Sequence, residues 1–484
     1  MTVALSALTV LCVVLVVLGA VPVASTGLQL LAVPFHAVRN HYRRARPFHP
    51  RVAVLVPAWN ESAVIRASVE RLLALEYPPE RLRVVVVDDA STDDTPEVLA
   101  ALQQRHPGRV VHLRRAVGGQ GKAHTLNHGL RHLLADDWMQ ATLIMDADVI
   151  YERTALRRMT RHLADPEVAA VTAYIAEGSA DRTWLTRFIA VEYVLAQLAG
   201  RRAQNVLGAM ACLAGGAQLH ARSNLEALGE IDTSTLAEDT VTTLETQLRG
   251  RRVVFEPHAL VLAEEPATVV ALWKQRVRWA RGNLQVTRRY ARVWFRPWRH
   301  RRLGSVSFGV QWFSVLYLPV MLLAASVGLV GLLLLDPALS ARAFRALWTA
   351  AACVYVGSIA FALQLDRGVA RSSWREAIAF PGLIPVLSMV TAFVPHLVPA
   401  VLTGPGEELA WSLFVDLAPV LAIALAWSLR RLEGPRTRPL VAAALYLVGY
   451  GPLLCAITLD AMLQQRRGVE ARWEKTEKIG RVAA

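Results

Sequence analysis

The chain has 484 residues, 54% of them hydrophobic, and its 53 Lys and Arg against 39 Asp and Glu give a formal net charge of +14. So high an apolar share argues against a protein that is water-soluble throughout. Cys12, Cys353 and Cys455 lie in apolar runs and Cys212 stands alone, which argues against a disulfide framework and a cysteine-based metal site.

Residues 4–38 and 304–462 carry long uncharged runs, whereas 39–303 holds most of the charged residues. That distribution predicts a soluble domain between membrane segments. The run from Val3 to Ala24 is long enough to span roughly 30 Å of hydrocarbon as a helix. Its length overlaps that of a signal peptide, but no basic stretch precedes it and apolar character resumes in "LQLLAVPF", which favours a retained anchor over 1–38. The cluster Arg39, Arg43, Arg44 and Arg46 puts the following domain in the cytoplasm by the positive-inside rule.

From Arg51 onward, "RVAVLVPA", "LRVVVVDDA", "RVVHLRR", "ATLIMDAD" and "VAAVTAY" read as strands buried on both faces. Between the first two, Val64, Ile65, Val69, Leu72 and Leu73 form one face of a helix. Strand and helix alternating in this way predict an α/β domain with a largely parallel sheet. Ligands bind such sheets at the carboxyl ends of the strands.

Residues 272–302, "LWKQRVRWARGNLQVTRRYARVWFRPWRHRR", hold eleven Lys or Arg and six aromatics with no acid. Beyond them five apolar segments can be drawn, about 306–335, 346–364, 377–402, 409–429 and 439–460. Five crossings would leave the basic tail 463–484 outside, against its charge. The proline-broken "FPGLIPVLSMVTAFVPHLVP" and the interrupted "YLVGYGP" are therefore the candidates for a segment that does not cross.

Three acidic pairs occupy places where this architecture puts a ligand. Asp88 and Asp89 end one predicted strand, Asp146 and Asp148 end another, and Glu238 and Asp239 open a helix. Singly, each has a plain explanation as a turn, a helix cap or first-turn acids suited to the helix dipole. Together they can offer carboxylates to a divalent cation and a general base to the same cleft. Between the first two pairs, "GGQGKAHTLNHGL" has glycines that permit close backbone approach and Lys122 to meet a phosphate, without the spacing of a Walker loop.

The series "VPAWNES", "VVVVDDASTDDT", "GGQGKAHTLNHGL", "LIMDADV", "LAEDT" and "QRVRW", over residues 52–283, resembles the processive inverting membrane glycosyltransferases, among them cellulose, chitin, hyaluronan and poly-N-acetylglucosamine synthases. "QRVRWARGN" and the modest length are most similar to the poly-β-1,6-N-acetylglucosamine synthases.

The resemblance implies a GT-A α/β domain over 39–284 between transmembrane helices, an interfacial segment over 285–303 and a membrane region over 304–462. It further implies a UDP-sugar donor, a glycan acceptor, and Mg²⁺ or Mn²⁺. By the same similarity Asp88, Asp89, Lys122 and Asp146 bind the donor and Asp148 holds the metal. Asp239, beside Glu238, is the base, and Gln275, Arg278, Trp279, Gly215 and Gly216 meet the acceptor. Two departures stand out: Ala237 where Thr is common, and a loose match in "CLAGGAQLHAR".

N-acetylglucosamine is the preferred sugar on this reading. Membrane lipids and a small accessory membrane subunit are the partners it suggests, with no nucleic acid. The rivals are a non-processive transferase making a glycosyl lipid and, in a different class, a transporter with a sugar-nucleotide sensing domain.

Overall fold

The computed structural model describes residues 2–38, 46–394, 408–470 and 482. Arg39, Arg43 and Arg44, the end of the 377–402 segment and most of the basic tail lie outside them. The chain packs as two units, one of residues 1–31, 267–284 and 306–470, the other of 32–266, 285–305 and 471–484.

In chain order the helices that matter to the site are α1 (Thr2–Val38), α2 (Ile65–Leu73), α3 (Thr95–Arg105), α4 (Lys122–Leu134), α5 (Ala155–Thr160), α6 (Trp184–Tyr193), α7 (Gly200–Leu207), α8 (Arg222–Leu228), α9 (Glu238–Leu248) and α10 (Val269–Arg289). The strands are β1 (Val52–Ala58), β2 (Leu82–Asp88), β3 (Val110–Arg114), β4 (Ala141–Ile144), β5 (Val149–Tyr151), β6 (Val168–Glu177), β7 (Gln218–Ala221) and β8 (Arg252–Ala263). They form one sheet in the order β3-β2-β1-β4-β7-β6-β8-β5.

The half from β3 to β4 is parallel throughout. Beyond it the sheet is mixed, because the short β7 runs antiparallel to both β4 and β6, while β6 and β8 are parallel and β5 reverses again. Helix α4 covers β1 and β2, burying Leu126 and Leu130 with Leu55, Val85 and Val87. A side chain at Gly129 would collide with Leu55, so this glycine lets α4 lie close to the sheet and aims its first residue, Lys122, at the strand ends.

Among the described residues, four helices are long and apolar enough to cross a membrane: Ala4–His36, Leu318–Leu335, Pro337–Leu365 and Leu409–Leu432. The pair Arg438–Val448 and Tyr450–Arg466 makes a fifth candidate if its 96° bend is one broken span. Cys12 and Val16 of α1 pack in one core with Leu329, Leu332, Phe344, Trp348 and Trp411. The expected single segment 306–335 is two helices, Val306–Leu316 and Leu318–Leu335, with the restart just ahead of Pro319, whose ring is tolerated only in a helix's first turn.

The two interrupted segments singled out in the sequence meet each other. Gly449 has φ +99°, which a side chain resists, and Tyr450 N–H and Gly451 N–H donate to the Phe380 carbonyl at 2.9 and 3.1 Å. A side chain at Gly449 would collide with the Pro381 carbonyl, so the bend depends on glycine there.

Candidate active site

Lys122 is the hub of the site. Its Nζ donates to Asp146 Oδ1 at 2.5 Å and to the Gly215 carbonyl at 3.1 Å. Burial alone would push this ammonium below its ordinary value, but Asp146, Glu238 and Asp239 outweigh it and hold the group above that value. Helix α4 starts at this residue from Gly121, at φ +106°, with no side chain capping its N-terminus. Open N–H groups beside a fixed ammonium make an anion site.

Asp239 and Lys122 both border the space that a Gly215 side chain would fill. A Cβ built on Gly215 would lie 3.3 Å from Asp239 Oδ2 and 3.5 Å from Lys122 Nζ, and one on Gly216 would lie 3.4 Å from Asp146 Oδ2. The two adjacent glycines thus leave open the space bordered by the acid opening α9 and the cation opening α4. Asp239 Oδ1 accepts from Thr240 N–H at 2.7 Å. Glu238 belongs to the same group electrostatically, through its effect on Lys122.

The loop carrying these glycines is held by residues that the sequence did not flag. Thr243 donates to the Asp239 carbonyl at 2.6 Å and accepts from Leu213 N–H at 2.7 Å. Gln247 accepts from Met210 N–H at 2.9 Å and donates to the Met210 carbonyl at 2.7 Å. From the sheet, Thr172 bridges Ala214 N–H and the Ala217 carbonyl at 3.0 Å each. Tyr151 donates its hydroxyl to the Gly216 carbonyl at 2.9 Å, and burial, then Asp146, push that hydroxyl far above its ordinary value, so it stays a donor.

Asp88 and Asp89 have different surroundings. Asp88 is fully buried, accepts from Ser91 N–H at 2.8 Å and lies 3.4 Å from Arg114, partners that turn it toward β3. Asp89 binds Arg115, and its Oδ2 accepts from Gly119 N–H at 3.0 Å. Its carboxylate therefore shapes the Gly118–Gly121 loop that leads into α4. A network beside it ties the two preceding loops together: Ser62 N–H and the Thr95 hydroxyl both donate to Asp93, at 3.1 and 2.6 Å.

Asp148 follows Asp146 by two residues, half-buried, at the start of β5. The pair offers oxygen donors alone, and no group of three His, Cys, Asp or Glu gathers among the described residues. Two carboxylates at a strand end suit a hard divalent cation that keeps its other positions for substrate phosphates, so the residues present fit such an ion.

Gln275, Arg278 and Trp279 lie on α10, whose residues up to Leu284 are anchored within their own unit. Glu433 accepts from both Val269 N–H at 3.0 Å and Val270 N–H at 2.8 Å, capping its N-terminus. Trp273 Nε1 and the Arg430 guanidinium both donate to Asp460, at 2.7 and 2.8 Å. Arg281 donates to Gln465 at 3.5 Å and to the Val469 and Glu470 carbonyls. Gln275 is buried, and its Oε1 has no hydrogen-bond partner among the described residues. Trp279 is exposed, with the Arg276 guanidinium 4.0 Å from its ring centre.

Residues 49–282 match the model of the glycosyltransferase-like family 2. This region is a family 2 glycosyltransferase domain. Its mixed sheet, with acidic pairs at the ends of β2 and β4, is the GT-A-type arrangement. Among curated proteins, the probable glycosyltransferase YdaM of Bacillus subtilis (strain 168) is 33% identical over 254 residues, which is 52% of this chain and 60% of that protein. The beta-monoglucosyldiacylglycerol synthase of Synechocystis sp. is 33% identical over 246 residues, 51% of this chain and 50% of that one. The poly-beta-1,6-N-acetyl-D-glucosamine synthase of Staphylococcus aureus (strain COL) is 31% identical over 238 residues, 49% of this chain and 55% of that one. The chain thus spans about half to three-fifths of the length of these relatives.

Proposed function

We propose that this family 2 domain transfers a sugar from a UDP-sugar, with inversion, onto a growing β-linked polysaccharide that is passed across the membrane, and that N-acetylglucosamine is the preferred sugar. The observation that carries the transfer reaction is the placement of Lys122 and Asp239 beside the same space, the one a Gly215 side chain would occupy. In the reaction the acceptor hydroxyl oxygen bonds to the anomeric carbon while the bond from that carbon to the diphosphate breaks. The nucleoside diphosphate leaves with the electron pair, and Asp239 takes the hydroxyl proton. Lys122 and the open N–H groups of α4 balance the charge gained by the leaving diphosphate.

Asp146 fixes Lys122 and meets the nucleotide, while Asp88 and Asp89 order the loops that bound the donor. When bound, Mg²⁺ or Mn²⁺ held by Asp148 supplies further neutralisation of the phosphates. Gly215 and Gly216 leave room for the acceptor end. Gln275, Arg278 and Trp279 contact acceptor or product, a role supported by the unpartnered Gln275 Oε1 and the open ring of Trp279.

The protein is proposed to lie in the plasma membrane with several spans. Residues 39–284 form its catalytic domain on the cytoplasmic side, 285–303 its interfacial segment, and lipids and a small accessory subunit are its partners. Four apolar helices and the Arg39 to Arg46 cluster support this placement. A second reading, transfer of single sugars to a lipid, is favoured by the similarity to the Synechocystis glucosyldiacylglycerol synthase. Membrane vesicles supplied in turn with radiolabelled UDP-N-acetylglucosamine and other UDP-sugars separate the two. High-molecular-mass product from UDP-N-acetylglucosamine is expected, one sugar on lipid would favour the second reading, and no incorporation from any donor would contradict both.

A further inference from the structure

Helix α9 carries Asp239 at its start, and at its other end the turn into β8 and the segment after α10 line a half-open cavity of about 320 Å³. Four arginines, Arg251, Arg252, Arg301 and Arg302, line it together with His300. Two of these side chains are already committed. Arg252 is 2.9 Å from Asp165 and 3.6 Å from Glu167, the acid in the cavity wall. His300 accepts from Leu303 N–H at Nδ1, 2.9 Å, and its Nε2 meets the Gln247 carbonyl at 2.9 Å.

Arg251, Arg301 and Arg302 have no ion-pair partner among the described residues. Arg302 lies over Gly208, where an added Cβ would come within 3.2 Å of its guanidinium, so the glycine lets that side chain form part of the wall. Three uncompensated guanidinium groups around one concavity present planar, forked donors that match phosphate oxygens. The volume is that of a small-ligand site, larger than a bare ion requires.

We propose that this cavity binds a phosphate-bearing anion. A lipid headgroup is the source favoured by the same segment, in which Phe295 is 42% and Trp298 77% exposed. Rings of this kind settle at a bilayer surface, and the apolar helix Val306–Leu316 starts soon after Arg302. The choice of lipid as source rests on the membrane reading above, whereas the phosphate chemistry does not.

The test uses the full chain purified in neutral detergent. Native mass spectrometry counts lipid retained from detergent doped with phosphatidic acid, phosphatidylglycerol or phosphatidylcholine, and a parallel melt is run with inorganic phosphate. The cavity triple R251Q/R301Q/R302Q is compared with R288Q/R292Q/R299Q, which removes the same charge from the neighbouring segment outside the cavity. Retention of the anionic lipids is expected to fall about tenfold in the cavity triple and to hold in the control. A phosphate-induced rise in melting temperature that the cavity triple loses, with no lipid retained, supports the site with a soluble phosphate as occupant. Equal loss in both triples, or no binding in either arm, overturns the proposal. Should the cavity triple fail to fold, the single exposed change R301Q is read in the same way.

Discussion

Asp239 and Lys122 border the space beside Gly215, and the residue-scale predictions follow from that placement. Asp239→Asn keeps the side chain's shape but not its basicity, so transfer should fall by about a thousandfold while UDP binding, read by calorimetry, stays near native. Near-native turnover in this variant would remove Asp239 from the role of base. Gly215→Ala puts a methyl 3.3 Å from Asp239 Oδ2 and 3.5 Å from Lys122 Nζ. Such a displacement at the reacting groups should cost about tenfold in kcat, with melting temperature little changed. Asp93 offers a pH test outside the reaction. Burial opposes its charge, but hydrogen bonds from Thr95 and Ser62 prevail and bring its carboxyl from 3.8 to about 2. The folded-state value is depressed, so the stabilisation is present above pH 3.8 and is lost as pH falls toward 2. In Asp93→Asn, the acid sensitivity of the melting temperature across that window should flatten.

At the scale of elements, α10 is the piece whose anchoring can be tested. Asp460 accepts from Trp273 and Arg430 at once, and its side chain is only 10% exposed. Asp460→Asn should therefore destabilise the unit that holds the apolar helices by about 2 kcal/mol, read as a lowered melting temperature in detergent. Glu433→Ala removes the cap from two N–H groups and should cost about 1 kcal/mol. Unchanged melting in both variants would mean that these contacts do not hold α10. Strands β1, β2, β4 and β6 were legible as mostly apolar runs because they are buried along nearly their whole length, whereas β3, expected to be buried on both faces, is an edge strand in which only Val110 is buried. The others were not: β5 has three residues, and β7 carries Gln218 and His220 into the interior, where the polar pattern of its sequence gives no strand signal. The acidic pairs and Lys122 were legible because charges at the ends of buried runs need an explanation. Thr172, Thr243, Gln247 and Tyr151 were not, since uncharged polar residues in helices and strands are ordinary until the fold brings them to the Gly215 loop.

For the whole molecule, the sequence conveyed a domain between apolar regions, but the breaks in those regions needed the structure. The split at Tyr317 and the 96° bend at Gly449 come from a single proline and a single glycine in otherwise continuous apolar runs. The central claim is that the family 2 domain works on a chain that stays bound through successive transfers. The most direct measurement is the size distribution of product from the purified full chain with limiting UDP-N-acetylglucosamine and a large excess of unlabelled acceptor. The account predicts a few long β-linked chains alongside unused acceptor. Many acceptors each extended by one sugar, or a single sugar on lipid, would contradict it.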